Sequence, residues 1–505
     1  MSVTVGLSIQ REANEPAPPS YAVMSVAGLI GPFEKAAATS TEAFAARFPL
    51  DTCVRFQSTD ATARMIDPDG DMGRAIGLIN AQLGRTQTGA QIIVVRTAQS
   101  ADDDDATIAA IVGNAAARSG IHAFKRGGPD VGAYPRLIHI PGGWASRTRF
   151  GVTGYVVTAA GAGYDTVPTA SLPVGAGAGT GFAATVTLTA GAVTGLTITD
   201  PGEGFMPGTY PLTLTGGTPE TPAVVTVTVA RMANPIVAAL PAVLNAFLGI
   251  AYIQAPGISE QGDLDFRELH ASERIGIVTP GVLVTNTAGD TVATDQAAIQ
   301  IGLHIRRDFQ ADGRPFNPIL NQPVTGIVAP TRAIEFSWLD DSVEAQQLLA
   351  HQIGPLVRGE AGDDFAAAEG GFVSFAFETI GSEPIWSQMH KVRGRDFIEL
   401  TVIRTFRSYF GRFRLTRQTI ETIVDTVEDV LRIAEARGEI LGYACRFDPN
   451  LNNPSDLRTG HIFIEAKFEE APVFRKATLL SRPYVQAIDD LIAALSGQTG
   501  VLVEG

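Results

Sequence analysis

Only two cysteines, Cys53 and Cys445, occur in 505 residues, too few for a disulfide framework, so the fold must stand on burial alone. Charge is also sparse. Asp, Glu, Lys and Arg make up 18% of the chain, against roughly 25% in ordinary soluble domains, which suggests a surface partly hidden from water. The 38 basic and 53 acidic residues leave a net charge of −15, which argues against whole-chain attraction to nucleic acid or an anionic membrane. The longest uncharged stretch, 232–259, is broken by Pro235, Pro241, Asn245, Gly249 and Pro256. It reads as a buried helix over 237–248 and a strand over 250–254, with no membrane insertion. Residues 1–11 lack a basic region leading into an apolar core and do not read as a secretory signal.

Chemical motifs are missing as well. There is no Walker-type phosphate loop, dinucleotide fingerprint, nucleophile elbow or zinc-protease motif. The glycine-rich run 175–181 precedes a strand pattern and has no following lysine, so it reads as a turn. Asp67, Asp69 and Asp71 have calcium-loop spacing, but Met72 stands where that loop needs glycine. None of the seven histidines pairs with another at helical ligand spacing. These absences argue against an enzyme, a cofactor or a metal site.

What is abundant is apolar residues (45%), with 53 glycines and 30 prolines, the composition of several turn-rich domains. Short apolar runs at 92–95, 137–140, 251–253 and 275–278 read as buried strands, and helical patterns at 72–83 and 106–117 separate some of them. Such alternation implies an α/β layer structure with a mainly parallel sheet. Between the second and third strands the composition changes. From 151 to 230 there is no lysine or arginine, and only Asp165, Asp200, Glu203 and Glu220 carry charge. The sequence also repeats at an offset of 41: Val152-Thr153-Gly154 returns as Val193-Thr194-Gly195, and Thr185-Val186-Thr187 as Thr226-Val227-Thr228. Two copies of one β unit, inserted into a loop of the α/β domain, are expected.

A third, α+β region is expected from about 370, with strands over 372–377, 397–403, 444–447 and 461–468, a long helix over 416–437 and a last helix over 483–495. Residues 391–417 hold eight basic side chains against Asp396 and Glu399, whereas Glu421, Asp425, Glu428, Asp429 and Glu435 line the outer face of the helix that follows. Arg404, Arg412 and Arg414, with Glu421 and Asp425, therefore read as complementary charged faces between subunits, or as a solvated surface. Alternating Val3, Val5, Leu7 and Ile9 and the short run Val501, Leu502, Val503 read as terminal strands on linkers, paired with their own sheet or added to a neighbour's. Cys53 and Cys445 read as buried small hydrophobes or, in an oxidising exterior, as an intersubunit disulfide.

In this order the parts resemble the tail sheath proteins of contractile-tailed bacteriophages, and more distantly the sheaths of related contractile injection machines. The resemblance is carried by residues 22–31, Phe48-Pro49-Leu50-Asp51, 71–83, 89–96 and 137–141, and most specifically by 438–447, Asn453-Pro454-Ser455-Asp456-Leu457, 460–468 and Pro472. It implies a multidomain α/β and α+β sheath-protein fold with an inserted all-β repeat domain and extended terminal arms. Expected divisions are an arm over 1–22, a discontinuous middle domain over 23–150 and 232–369, the insert over 151–231, a core domain facing the tube over 370–486, and a closing helix end and arm over 487–505. The implied partners are further copies in a helical homo-oligomer, the tail tube protein, and baseplate and tail terminator proteins, with no nucleic acid. The implied location is the virion tail. A β-repeat adhesin or carbohydrate-binding surface protein, with the insert as its working part, is the other reading.

Overall fold

Apolar runs without polar alternation can be strands only if both their faces are covered. The computed structural model, which describes residues 21–177, 179–407 and 409–498, builds such a sheet. The described residues up to Ala471 form one compact unit and those from Pro472 another.

Nine strands make the main sheet: β1 (Val26–Gly31), β2 (Cys53–Gln57), β3 (Gln91–Arg96), β4 (Leu137–His139) and, far along the chain, five more. Between β4 and those five lie β5 (Arg149–Ala159), β6 (Thr169–Ser171), β7 (Ala183–Thr189), β8 (Ala192–Asp200), β9 (Gly208–Pro211), β10 (Thr213–Thr215) and β11 (Val224–Met232), which join other sheets. The main sheet resumes with β12 (Ile250–Gln254) and β13 (Ile275–Thr279). A small sheet is formed by β14 (Val282–Thr285), β15 (Thr291–Thr294) and β17 (Ala329–Pro330), while β16 (Gln322–Val324), β18 (Ile353–Arg358) and β19 (Phe372–Ser374) complete the large one. Its order is β16-β19-β18-β13-β12-β4-β1-β3-β2, with the six strands from β18 to β3 parallel and antiparallel strands at both edges.

Helices cover both faces. On one lie α1 (Thr41–Arg47), α2 (Asp71–Gln82) and, later in the chain, a long helix at 297–310; on the other lie α3 (Asp104–Val112), a short α4 (Gly127–Val131), α5 (Pro235–Phe247) and α6 (Glu260–Glu268). The long helix is α7 (Ala297–Gln310), and α8 (Glu344–Ala350) joins the second face. Strand alternation feeds both cores, since Ile92 and Val94 enter the α2/α7 side while Ile93 and Val95 enter the α3/α5 side. Asn234 caps α5 by accepting from the Ile236 amide, and Pro235 supplies the first turn, so the uncharged stretch that begins there is a buried helix and strand.

The repeated segment leaves the main sheet after β4 and returns at β12, which pairs with β4. Its two ends lie side by side, Arg149 opposite Met232. The two copies are completed crosswise. The first strand of copy one, β5, pairs with the last strand of copy two, β11, and the first strand of copy two, β8, pairs with the last of copy one, β7. The small contacts obey the same exchange: the Val152 amide donates to Pro201 and the Val193 amide to Ala160, while Ala162 bridges Thr221 and Thr180 bridges Glu203. Each partner is shifted by the 41-residue offset seen in the sequence. A separate apolar cluster, including the equivalent Tyr164 and Phe205, lies between the two sheets.

Beyond the main sheet, α9 (Met389–Phe406) and α10 (Arg417–Ala436) pack with a two-stranded sheet of β20 (Ile440–Arg446) and β21 (Glu465–Glu470), which α11 (Pro454–Arg458) separates in the chain. The strand expected over 397–403 is corrected, because those residues lie within α9. Phe397, Ile398, Thr401 and Thr405 are buried at helical spacing, and that burial outweighs the β preference of aromatic and β-branched residues. Residues 372–374 also differ from expectation, since β19 is laid against β18 in the large sheet. In the second unit α12 (Gln486–Gln498) exposes Ile488, Leu491 and Ile492, and Val485 is exposed just before it.

Candidate functional site

Four charged residues of α9 face two ways, as helical geometry requires. Lys391 and Arg395, one turn apart, reach β21: Lys391 Nζ lies 2.7 Å from Glu469 Oε1, and Arg395 donates to Glu470 at 2.7 Å and to the Phe468 carbonyl at 2.8 Å. Arg393 and Asp396 reach the main sheet. Arg393 is 1% exposed and forms a two-pronged pair with Asp308 of α7, at 2.5 and 3.1 Å. Asp396 takes a two-pronged pair from Arg274 at 2.5 and 2.9 Å.

The Arg393 pair continues into a wider buried network, in which Arg393 Nε alone of the guanidinium nitrogens has no partner. Arg393 also donates to the Met24 carbonyl at 3.2 Å, and Ser25 donates to Asp308 at 2.9 Å. His304 accepts from Arg393 on Nδ1, so its Nε2 carries the hydrogen shared with the Tyr252 hydroxyl at 2.9 Å. Burial holds His304 well below its ordinary pKa, and the nearby Arg393 charge adds to this. Burial pushes the Asp308 and Asp396 carboxyls upward while their arginines pull them back. On a further side Arg314 pairs with Glu439 and lies against the rings of Tyr21, Phe316 and Phe397. These bonds fasten the C-terminal layer to the α/β layer within the first unit.

Outside this joint the layer is unfinished. Its β20–β21 sheet pairs with no third strand among the described residues. Beside it an open apolar groove of about 650 Å³ runs between α9 and α10, lined by residues such as Ile398, Val402, Phe406 and Ile423. The connection from α9 to α10 exposes Phe410 and Phe413 together with Arg407, Arg412 and Arg414. It is shaped by ring contacts, Phe406 with Phe410 at 6.2 Å and Tyr409 with Phe413 at 5.6 Å. Thr416 then caps α10 through the Thr419 amide.

The residues expected from sequence fall into four groups. Val3, Val5, Leu7, Ile9, Val501, Leu502 and Val503 lie outside the described residues. Arg404 stands at the end of α9 and Arg412 and Arg414 in the loop after it, and Arg404 donates to the Tyr21 carbonyl at 2.7 Å. Glu421 and Asp425 are exposed on α10, where Glu421 accepts from Arg417 at 2.7 Å. Cys53 is buried in β2, its thiol pushed up to about 12 by burial and bonded to the Ala123 carbonyl, so cross-linking through it would require β2 to leave the sheet. Burial and the Glu428 and Asp425 charges push Cys445 up to about 11. Sequence reasoning left the basic residues of 391–417 as a solvated surface or as a face between subunits; the overlooked signal was the four-residue spacing of Lys391 and Arg395 and the three-residue spacing of Arg393 and Asp396.

Among the described residues no group of three or more histidine, cysteine or carboxylate side chains could hold a metal ion, and no helix is long and apolar enough to cross a membrane. The fold is that of contractile sheath subunits. The structure matches the sheath complex of the PVC extracellular contractile injection system in its contracted state, with a TM-score of 0.57 and 10% identity over 96% of this chain and 99% of that one. It also matches the contracted helical sheath of the anti-feeding prophage, with a TM-score of 0.55 and 12% identity over 96% and 100% of the two chains. In sequence, the chain is similar to tail sheath proteins. It is 22% identical over 241 residues to a putative prophage major tail sheath protein of Pseudomonas aeruginosa (strain UCBPP-PA14), covering 47% of this chain and 58% of the relative. It is 19% identical over 262 residues to the tail sheath protein of Escherichia phage P2, covering 52% and 63%. The matched part thus spans about six-tenths of the length of these curated relatives. No family model matches the chain.

Proposed function

We propose that this chain is the structural subunit of a contractile phage tail sheath, polymerising around a tail tube in a metastable extended helical lattice and contracting to drive the tube through the host envelope. What carries this reading is that sequence relatives and fold neighbours, found independently, are the same kind of protein. Contraction without fuel needs a lattice trapped behind a kinetic barrier, whose subunits move as rigid bodies into better contacts. Ion pairs spanning α9 suit such a body. The open sheet of β20 and β21 suits arms borrowed from neighbours, namely the terminal strands at 3–9 and 501–503.

In the assembled tail the C-terminal layer, 370–486, faces the tube, and the repeat segment, 151–231, is an inserted all-β domain on the outer surface, away from the packed lattice. Baseplate and tail terminator proteins meet the ends of the lattice, which is assembled in the host cytoplasm and carried in the virion. The test is negative-stain microscopy of the purified full chain. Striated cylinders are expected; monomers at high concentration that bind host-surface glycans would favour an adhesin instead. Deleting residues 1–11 or 500–505 is expected to leave folded monomers that build no long tubes, and normal tubes from both truncations would defeat the arm assignment.

A further inference from the structure

We infer that the basic aromatic loop between α9 and α10 docks on an acidic aromatic patch of a second copy of this chain, formed by residues 336–341 and 363–366. The inference rests on the self-assembly proposed above and names one contact within it. Residues 404–417 contain five arginines and no carboxylate. Arg407, Arg412 and Arg414 are exposed and meet no carboxylate among the described residues. Between them stand Phe410, 70% exposed, and Phe413, 53% exposed. Exposed arginine interleaved with aromatic rings is a composition enriched at interfaces, and the exposed rings gain by leaving water.

The complementary surface lies on the α/β layer. Residues 335–369 carry eight carboxylates and one arginine, Arg358. Two loops there are stitched into a single patch, because the Trp338 amide donates to the Phe365 carbonyl at 3.2 Å and the Trp338 indole to the Ala366 carbonyl at 2.8 Å. Trp338 is held edge-on against Phe336 and Phe375, which fixes its exposed side. Leu339 is 78% exposed beside it, and Phe365 is 49% exposed. Asp340, Asp341, Asp363 and Asp364 are exposed around these apolar groups. Two hydrogen bonds from Ser342 hold the Asp340 carboxyl below its ordinary value, so it is charged at neutral pH.

Opposite charge and matched apolar centres make the two surfaces partners. Since they are different patches on one chain, the contact is heterologous: each copy offers a free loop and a free patch after the first contact, and growth continues without closing a dimer.

The experiment is a charge exchange followed by pelleting and negative stain. Arg412→Glu with Arg414→Glu, and separately Asp340→Arg with Asp341→Arg, are each expected to remain folded by circular dichroism and melting temperature, and to weaken assembly at least ~100-fold. Mixing the two variants is expected to restore tubes, because the reversed loop of one then meets the reversed patch of the other. The chain carrying all four substitutions should assemble alone. Normal tubes from either single-sided variant would overturn the contact, as would failure of both the mixture and the four-substitution chain. A reversed loop that assembles normally but no longer holds a tail tube would also overturn it, assigning the loop to the tube. If the unaltered chain builds no tubes, the self-assembly reading falls too, an outcome distinct from tubes built equally by all variants.

Discussion

At the scale of single residues, charges and histidines inside the protein carry the testable consequences. His390 is buried against the Ala471 carbonyl, 3.1 Å from its Nε2, and burial pushes it down to about 4. In the unfolded chain it protonates near ~6.5, so the stability it contributes is complete above that pH and drains away as pH falls toward 4, by up to ~1.4 kcal/mol per unit. Compared with His390→Gln, the unaltered protein should therefore lose up to ~2 kcal/mol between pH 7.5 and 5, read as a changing gap between urea midpoints. A gap independent of pH would mean that the imidazole takes up its proton in the fold as readily as in the unfolded chain. The Arg393–Asp308 pair makes a different demand: Asp308→Ala strands a buried guanidinium and should cost about 3–5 kcal/mol, whereas Arg393→Met with Asp308→Leu should restore most of the loss. None of this was legible in the sequence, where the histidines look scattered and the arginines look solvated. Burial is decided by residues hundreds of positions away, as Met24 and Arg393 show.

At the scale of elements, the reading of the sequence succeeded where one signal dominated. The buried strands, α2, α5 and α10 follow from continuous or periodic apolar residues and from caps such as Asn234 and Thr416. It failed at α9, where β-branched residues spoke for a strand and only the charge spacing spoke for a helix. The repeat was visible as an offset, but its crosswise pairing was not, because strand partners are not written locally. That pairing predicts a matched pair of effects. Gly161 (φ 65°) and Gly202 (φ 66°) occupy equivalent places, and a Cβ on them would lie 2.6 Å from the Thr221 carbonyl oxygen and 2.7 Å from the Thr180 carbonyl oxygen. Gly161→Ala and Gly202→Ala should each destabilise the segment by at least ~1 kcal/mol, with amide exchange rising in both its sheets rather than in one. Faster exchange confined to the altered copy would contradict mutual completion.

At the scale of the whole molecule, the chain is an incomplete object by its own surface chemistry. It carries an open two-stranded sheet, an apolar groove, and arginines without carboxylates at the loop after α9. The sequence foretold the charge excess at 391–417 but not its division, three side chains drawn inward to fasten α9 and five left at its end, in the loop after it and at the first residue of α10. The inner set, buried or half-buried, is less screened, while Arg407, Arg412 and Arg414 in the loop are exposed to screening. Raising salt from about 0.1 M to about 1 M shortens the Debye length from ~10 to ~3 Å. It should therefore slow tube growth strongly while shifting the melting temperature of the unassembled chain little. Parallel loss of both would mean that the two sets of arginines do one job.

The mutual closure of β5 with β11 and of β8 with β7 reaches further than stability. In a segment so built, deleting either copy removes the partner of both end strands of the other. A permuted version opened at the β7–β8 turn and joined across its neighbouring termini should close on itself as the natural order does.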